Sequence, residues 1–170
     1  MPRVSKTDPQ IVVMPDQKMA VVRGRGAPSD VFPKTMPALY GAVYTLKFDL
    51  KKKGLESFKV EALRARYPDA RDVAKKDWMI VMGIPIPEGT TDVVQKVPGV
   101  AVAIETWKYG MVAQVLHLGT YAEEAPSIEK LCRFITEQGY VIVGDHEEEY
   151  LTRPEAKVQK TIIRYVVKKA

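Results

Sequence analysis

The chain has little of what most directly signals chemistry. It has one cysteine, Cys132, so no internal disulfide can form. That residue falls in an apolar helical pattern and reads as a small core side chain. There are two histidines, His117 and His146, and they are expected on different strands. No His-x-x-x-His or Cys-x-x-Cys spacing exists. The nearest ligand candidates are His146 with Glu148 or Asp145, and the reading is of no metal and no cofactor. No apolar run approaches the roughly 20 residues that cross a bilayer, and no charged-then-apolar leader opens the chain. A cytoplasmic protein without a membrane partner is expected.

A strong charge of one sign is also missing. The 26 basic and 21 acidic residues leave a net charge of +5. The basic residues are scattered: Arg23 with Arg25, Lys51 to Lys53, Lys75 with Lys76, Lys168 with Lys169. Short runs of this kind are solvated loops or chain ends, so direct nucleic-acid binding is not expected. Gly24-Arg25-Gly26 lacks the third glycine and the Lys-Ser/Thr pair of a phosphate loop, and reads as a tight turn. No Gly-x-Ser-x-Gly elbow is present.

The chain is 170 residues long and 46% hydrophobic, enough for one domain with a sizeable core. Met1 to Gln10 is polar and expected to be loose. Met19 to Arg25 reads as a strand closed by Gly24-Arg25-Gly26-Ala27-Pro28. A helix follows from about Pro33 to Phe48, started by Pro33 and ended by Lys51 to Lys53 and Gly54. Phe58 to Tyr67 and Trp78 to Ile84 read as strands. The stretch Ile84 to Pro98, with Pro85, Pro87, Gly89 and Pro98, marks an internal boundary. Val100 to Trp107 and Met111 to Leu118 then read as a hairpin turned at Tyr109-Gly110. Ala125 to Gln138 reads as a helix with Pro126 near its start and Gly139 past its end. Tyr140 to Tyr150 and Lys160 to Val167 complete the set.

This order repeats. Each half reads as strand, glycine turn, proline-started helix, strand, loop, strand. Ala20 matches Ala113, Val22 matches Val115, Gly26 matches Gly119 and Pro33 matches Pro126, all at one offset. Tyr67 with Tyr150 and Ile80 with Ile163 share a second, shorter offset. The expected architecture is therefore α+β, with tandem pseudo-symmetric strand-helix-strand-strand modules, an antiparallel sheet and two main helices. Module one spans about residues 11–98 and module two about 99–170 of a single domain. A central cleft between the modules is expected to take the ligand. The internal pseudo-dimer favours a monomer.

Two groups of residues could line such a site. In Asp145-His146-Glu147-Glu148-Glu149-Tyr150, alternate residues of a strand share a face. His146, Glu148 and Tyr150 point one way, and Asp145, Glu147 and Glu149 point the other, where an all-acidic face is expected to meet water. Glu148 is then a carboxylate between aromatic groups, which suits a cationic ligand. The bland alternative is a solvated acidic strand end. In the first helix Met36, Tyr40 and Tyr44 recur every four residues along one stripe, beside Leu39, Val43 and Leu46. Tyr67, Trp78, Trp107 and Tyr109 lie on strands or their ends. Singly each reads as core packing; as a group they suit a pocket for flat hydrophobic molecules. His117 reads as a hydrogen-bonded core or rim residue.

Several segments resemble the GyrI-like small-molecule-binding domains, relatives of the effector-binding domains of AraC- and MerR-type regulators. They are Gly24-Arg25-Gly26-Ala27-Pro28, Phe32-Pro33-Lys34 through Tyr40 and Tyr44, His117-Leu118-Gly119-Thr120-Tyr121, Glu124-Ala125-Pro126-Ser127-Ile128-Glu129-Lys130-Leu131, Gln138-Gly139-Tyr140, and Glu148-Glu149-Tyr150-Leu151-Thr152-Arg153-Pro154. The resemblance covers nearly the whole chain. It implies a stand-alone protein that binds hydrophobic or cationic small molecules, as a sequestering or sensing device for xenobiotics. It places the acidic pocket residue at Glu148. Tyr150, Tyr40, Tyr44, Met36, Tyr67 and Trp107 are expected to join it. One subgroup of the family hydrolyses cyclopropane-containing DNA alkylators with an aromatic cage and the glutamate. That subgroup carries a Leu-Glu-Gly-x-Trp-Trp segment, whereas this chain has Leu63-Arg64-Ala65-Arg66-Tyr67-Pro68, so only Tyr67 could supply a wall. The family's regulators add a DNA-binding helix-turn-helix domain, which is not expected here. A protein partner such as a gyrase subunit is a third family role, and nothing in these residues favours it.

Overall fold

A computed structural model of the chain describes residues 7–153 and 155–170. The expected loose segment Met1 to Gln10 therefore lies outside the described residues up to position 6. In chain order the strands and helices are β1 (Gln10–Met14), β2 (Gln17–Arg25), α1 (Pro28–Lys52), β3 (Arg64–Tyr67), β4 (Met79–Pro85), β5 (Ala103–Trp107), β6 (Gly110–Leu118), α2 (Ala125–Glu137), β7 (Tyr140–Ile142), β8 (His146–Tyr150) and β9 (Lys160–Lys169). Single turns of 3₁₀ helix occupy Lys75–Asp77 and Tyr121–Glu123. The architecture is α+β, with two helices and antiparallel strand pairing throughout the pairs described. No helix among the described residues is long and apolar enough to cross a membrane.

The chain forms two compact units. One is Gln17–Trp107, with strands in the order β3-β4-β2-β5. Helix α1 packs on β2 and β4. It starts at Pro28, earlier than the expected Pro33, because Pro28 supplies the fixed φ of a first helical position. Pro33 and Pro37 lie inside it, each removing one backbone bond at a cost of about 3 kcal/mol or more. The helix survives because Val31, Ala38, Leu39, Ala42 and Val43 are buried along one face. Burial of a Leu or Val side chain contributes about 1.5–3 kcal/mol. Trp107 is buried in this unit and lies over Gly83, where an added Cβ would sit 2.9 Å from its ring.

The second unit joins Lys108–Ala170 to the segment ending at Asp16. Its strands run β1-β6-β9-β8, and β7 also pairs with β9. Thus β5 pairs with β2, while β6 lies between β1 and β9. This corrects the expected hairpin of Val100 to Trp107 with Met111 to Leu118. The turn at Tyr109-Gly110 leads from β5, paired with β2, to β6, paired with β1 and β9. It is fixed there by Asp16, whose carboxylate accepts from the Tyr109 N–H and from Lys108 Nζ, both at 3.1 Å.

The expected single strand Tyr140 to Tyr150 is broken into β7 and β8. Gly144 marks the break. A Cβ there would lie 3.0 Å from the Val166 Cβ on β9, so the backbones approach too closely for an ordinary strand residue.

The register sorts the second unit's sheet into two faces. Val115 opposes Ile163 and Ala113 opposes Tyr165. These four, with Val167, pack against Leu131 and Ile135 of α2 as an apolar core. Glu148 also opposes Ile163, so it lies on the helix side. Gln114 and Glu147 both oppose Arg164 and belong to the other face.

Candidate functional site

The alternation of β8 places His146, Glu148 and Tyr150 on one face, as the sequence pattern implies. They interact directly. His146 Nε2 lies 2.6 Å from Glu148 Oε2, and the Tyr150 hydroxyl donates to Glu148 Oε1 at 3.0 Å. The other imidazole nitrogen, Nδ1, lies 2.7 Å from the Tyr165 hydroxyl on β9. A continuous hydrogen-bonded chain therefore runs Tyr165, His146, Glu148, Tyr150.

The fifth member comes from the other end of the unit. Gly119 takes a φ of +126° at the end of β6, a conformation that favours glycine. Thr120 and Glu123 close a reciprocal capping box over the following turn. His117 is buried, with Nδ1 at 2.7 Å from Ser127 Oγ and Nε2 at 2.8 Å from the Thr120 carbonyl. A carbonyl only accepts, so Nε2 carries a proton. His117 therefore pins the start of α2 to β6, as a structural histidine should. This holds Glu124 at the α2 N-terminus with its carboxyl turned to Glu148, to which it donates a hydrogen bond when it is itself protonated.

Charge inside the cluster is set by two opposing effects. Burial is the largest and pushes the Glu148 carboxyl up. The hydrogen bonds from His146, Glu124 and Tyr150, with the His146 charge, outweigh it and hold the carboxyl below its ordinary value of 4.5. Glu148 is thus held ionised while only 8% exposed. Tyr121 borders both carboxylates. Burial, then the charges of Glu148 and Glu124, push its phenol above the ordinary value of 10.0. Its ring meets the Tyr150 ring edge-on at 5.7 Å. Tyr121 is 52% exposed and forms the solvent rim of the cluster.

The opposite face of β8 corrects one expectation. Glu147 and Glu149 do not meet water; both are buried. Arg164 reaches them from β9, with Nη1 to Glu147 at 2.8 Å and Nη2 to Glu149 at 2.9 Å. The Tyr109 hydroxyl donates to Glu147 at 2.8 Å, and Arg164 Nε donates to Gln114 at 3.3 Å. Burial works against the guanidinium charge, but the two carboxylates more than offset it and raise the Arg164 pKa. Only Asp145 of the three acidic residues is exposed.

Comparison with known proteins identifies the chain's relatives. Residues 7–167 match the model of the GyrI-like small molecule binding domain. The chain belongs to the GyrI-like family. Among solved structures, an uncharacterized conserved protein from Listeria innocua aligns with a TM-score of 0.85 at 22% identity, covering 96% of this chain and 93% of that one. A hydrolase from Listeria innocua aligns with a TM-score of 0.79 over the same shares and identity. The EcmrR C-terminal domain aligns with a TM-score of 0.66 at 13% identity, covering 96% and 98%. No curated protein matches by sequence.

Within this GyrI-like domain, the structure brings Glu148 and Tyr150 together as expected. The other expected pocket residues, Met36, Tyr40, Tyr44, Tyr67 and Trp107, belong to the Gln17–Trp107 unit. Tyr40 and Tyr44 stack at 6.3 Å along α1, with Met36 one turn earlier, half-buried. Burial, then Tyr44, pushes the Tyr40 phenol up. Tyr67 is buried with its ring edge-on to Trp78 at 5.5 Å. Trp107 is buried, and the Arg66 guanidinium lies 4.2 Å from its ring centre. Sequence reasoning missed Glu124, Tyr121 and Tyr165 as neighbours of Glu148. Glu124 was visible only as a residue before the helix-starting Pro126. Its role depends on how β6 turns into α2, which strand alternation does not encode.

Proposed function

We propose that this GyrI-like domain binds lipophilic, cationic small molecules, with Glu148 as the counter-charge, in a sequestering or sensing role for xenobiotics. The observation that carries this reading is a carboxyl, Glu148, buried to 8% exposure and hydrogen-bonded to His146 and Tyr150 beside the rings of Tyr121 and Tyr150. A carboxylate that must remain charged at 8% exposure gains from an organic cation arriving at its rim. The rings of Tyr121 and Tyr150 add cation–π attraction, worth about 0.5–2 kcal/mol. The stacked Tyr40–Tyr44 pair is a second aromatic surface of the kind planar ligands use. Titrating a fluorescent lipophilic cation into wild type and Glu148→Gln tests the assignment. Equal affinities for the two proteins would remove Glu148 from the role.

A second reading is a hydrolase of cyclopropane-containing alkylating compounds. One observation favours it: Glu148 has a second buried carboxyl, Glu124, in hydrogen-bonding contact. The depressed pKa of Glu148 leaves its carboxylate unprotonated and able to orient water, as a weaker base than a carboxylate tuned towards neutral pH. A hydrolase is also among the structural neighbours. Turnover of such a compound by wild type and its loss in Glu148→Gln would establish this reading. Binding without turnover would exclude it for that compound.

A further inference from the structure

We propose that Glu124, His146 and Glu148 form a binding site for one divalent transition-metal ion of the Zn²⁺, Co²⁺ or Mn²⁺ class. One ligand atom from each of the three lies within 4.8 Å of the others. The set mixes one imidazole nitrogen with two carboxylate oxygens, a composition that suits these ions.

Three features support an ion here beyond proximity. The first is charge. Glu124 and Glu148 are only 6% and 8% exposed, so two acidic groups share one site with little access to solvent. A dication that displaces the protons hydrogen-bonded among Glu124, His146 and Glu148 balances both carboxylates. The second is orientation from behind. His146 Nδ1 sits 2.7 Å from the Tyr165 hydroxyl, and Glu148 Oε1 accepts from Tyr150 at 3.0 Å. Metal-bound histidines and carboxylates are held by such outer partners. When Nε2 gives its lone pair to the ion, Nδ1 carries the remaining imidazole proton and donates a hydrogen bond to the Tyr165 oxygen. The third is rigidity. His146 and Glu148 stand on one strand paired to β9, and Glu124 is fixed through the His117–Ser127 and His117–Thr120 contacts. Three protein ligands leave coordination positions open, as in catalytic sites and unlike closed structural ones.

The site shares Glu148 with the proposed organic-cation role, but its test uses no organic ligand. The two can therefore fail separately. The chelator-treated full chain is titrated with Co²⁺ and followed by visible d–d absorption and by calorimetry. The expected result is uptake of about one ion per chain, weakened by about 100-fold or more in Glu124→Gln and in His146→Ala, and by about 10-fold in Tyr165→Phe. Glu124→Gln keeps the shape and hydrogen-bonding capacity of the side chain, so it carries the test if His146→Ala does not fold. Uptake far below one ion per chain would overturn the proposal. So would uptake that Glu124→Gln leaves unchanged, because the ion would then be bound elsewhere.

Discussion

His146 Nε2 and Glu148 Oε2 meet at 2.6 Å on one face of β8. This contact joins two residues that strand alternation puts side by side, and it keeps a buried carboxylate charged. His146 is itself anchored by Tyr165 at 2.7 Å, so Tyr165 positions Glu148 through the imidazole. Tyr165→Phe removes the anchor and keeps the ring. It should weaken binding of a lipophilic cation several-fold while leaving the melting temperature within a few degrees. Fluorescence titration with a parallel thermal melt checks this. Unchanged affinity would show that Glu148 needs no anchor.

The Arg164 network should matter to stability more than to binding. Removing one partner of a buried ion pair costs about 3–5 kcal/mol. Arg164→Met takes away the guanidinium that both Glu147 and Glu149 face. Urea denaturation should show a loss in this range. A loss below about 1 kcal/mol would mean that the network contributes little.

Acid should destabilise the fold in a direction the carboxylates fix. Glu148, Asp69 and Glu105 all have folded pKa values below their ordinary ones. A depressed carboxyl contributes stability that is fully present above its unfolded value. That contribution is lost as pH falls through the folded value. The urea midpoint should therefore hold between about pH 7 and 5 and fall progressively below about pH 4.5. Glu148→Gln should make that fall shallower. A midpoint that rises on acidification would contradict the assignment.

Gly83 tests the packing of the Gln17–Trp107 unit. An added Cβ would lie 2.9 Å from both the Met19 methyl and the Trp107 ring. Overpacking of this kind costs about 1–3 kcal/mol. Gly83→Ala should lower stability by that amount in urea denaturation and perturb the tryptophan fluorescence. An unchanged emission spectrum and midpoint would show that the ring has room to move.

Much of the order of elements was legible because proline, glycine and apolar periodicity are local signals. The two helices, the strand from Met19 to Arg25 and the shared face of His146, Glu148 and Tyr150 all follow from such signals. The partners of β5 and β6 were not legible, since a short turn at Tyr109-Gly110 looks like a hairpin whichever strands it serves. The fate of Glu147 and Glu149 was misjudged for a related reason. Three adjacent acidic residues read as a wet surface until the register brings Arg164 opposite Glu147. Glu124 joined the site through the His117 clasp on α2, a contact made by folding and not by spacing. The family resemblance singled out Glu148 among three neighbouring glutamates, which composition could not do.

The most direct test of the account compares two fluorescent ligands of the same shape, one cationic and one neutral, on wild type and Glu148→Gln. The account predicts that wild type prefers the cation by about tenfold or more, and that Glu148→Gln loses this preference while binding the neutral ligand as before. A preference for the cation that persists in Glu148→Gln would contradict it.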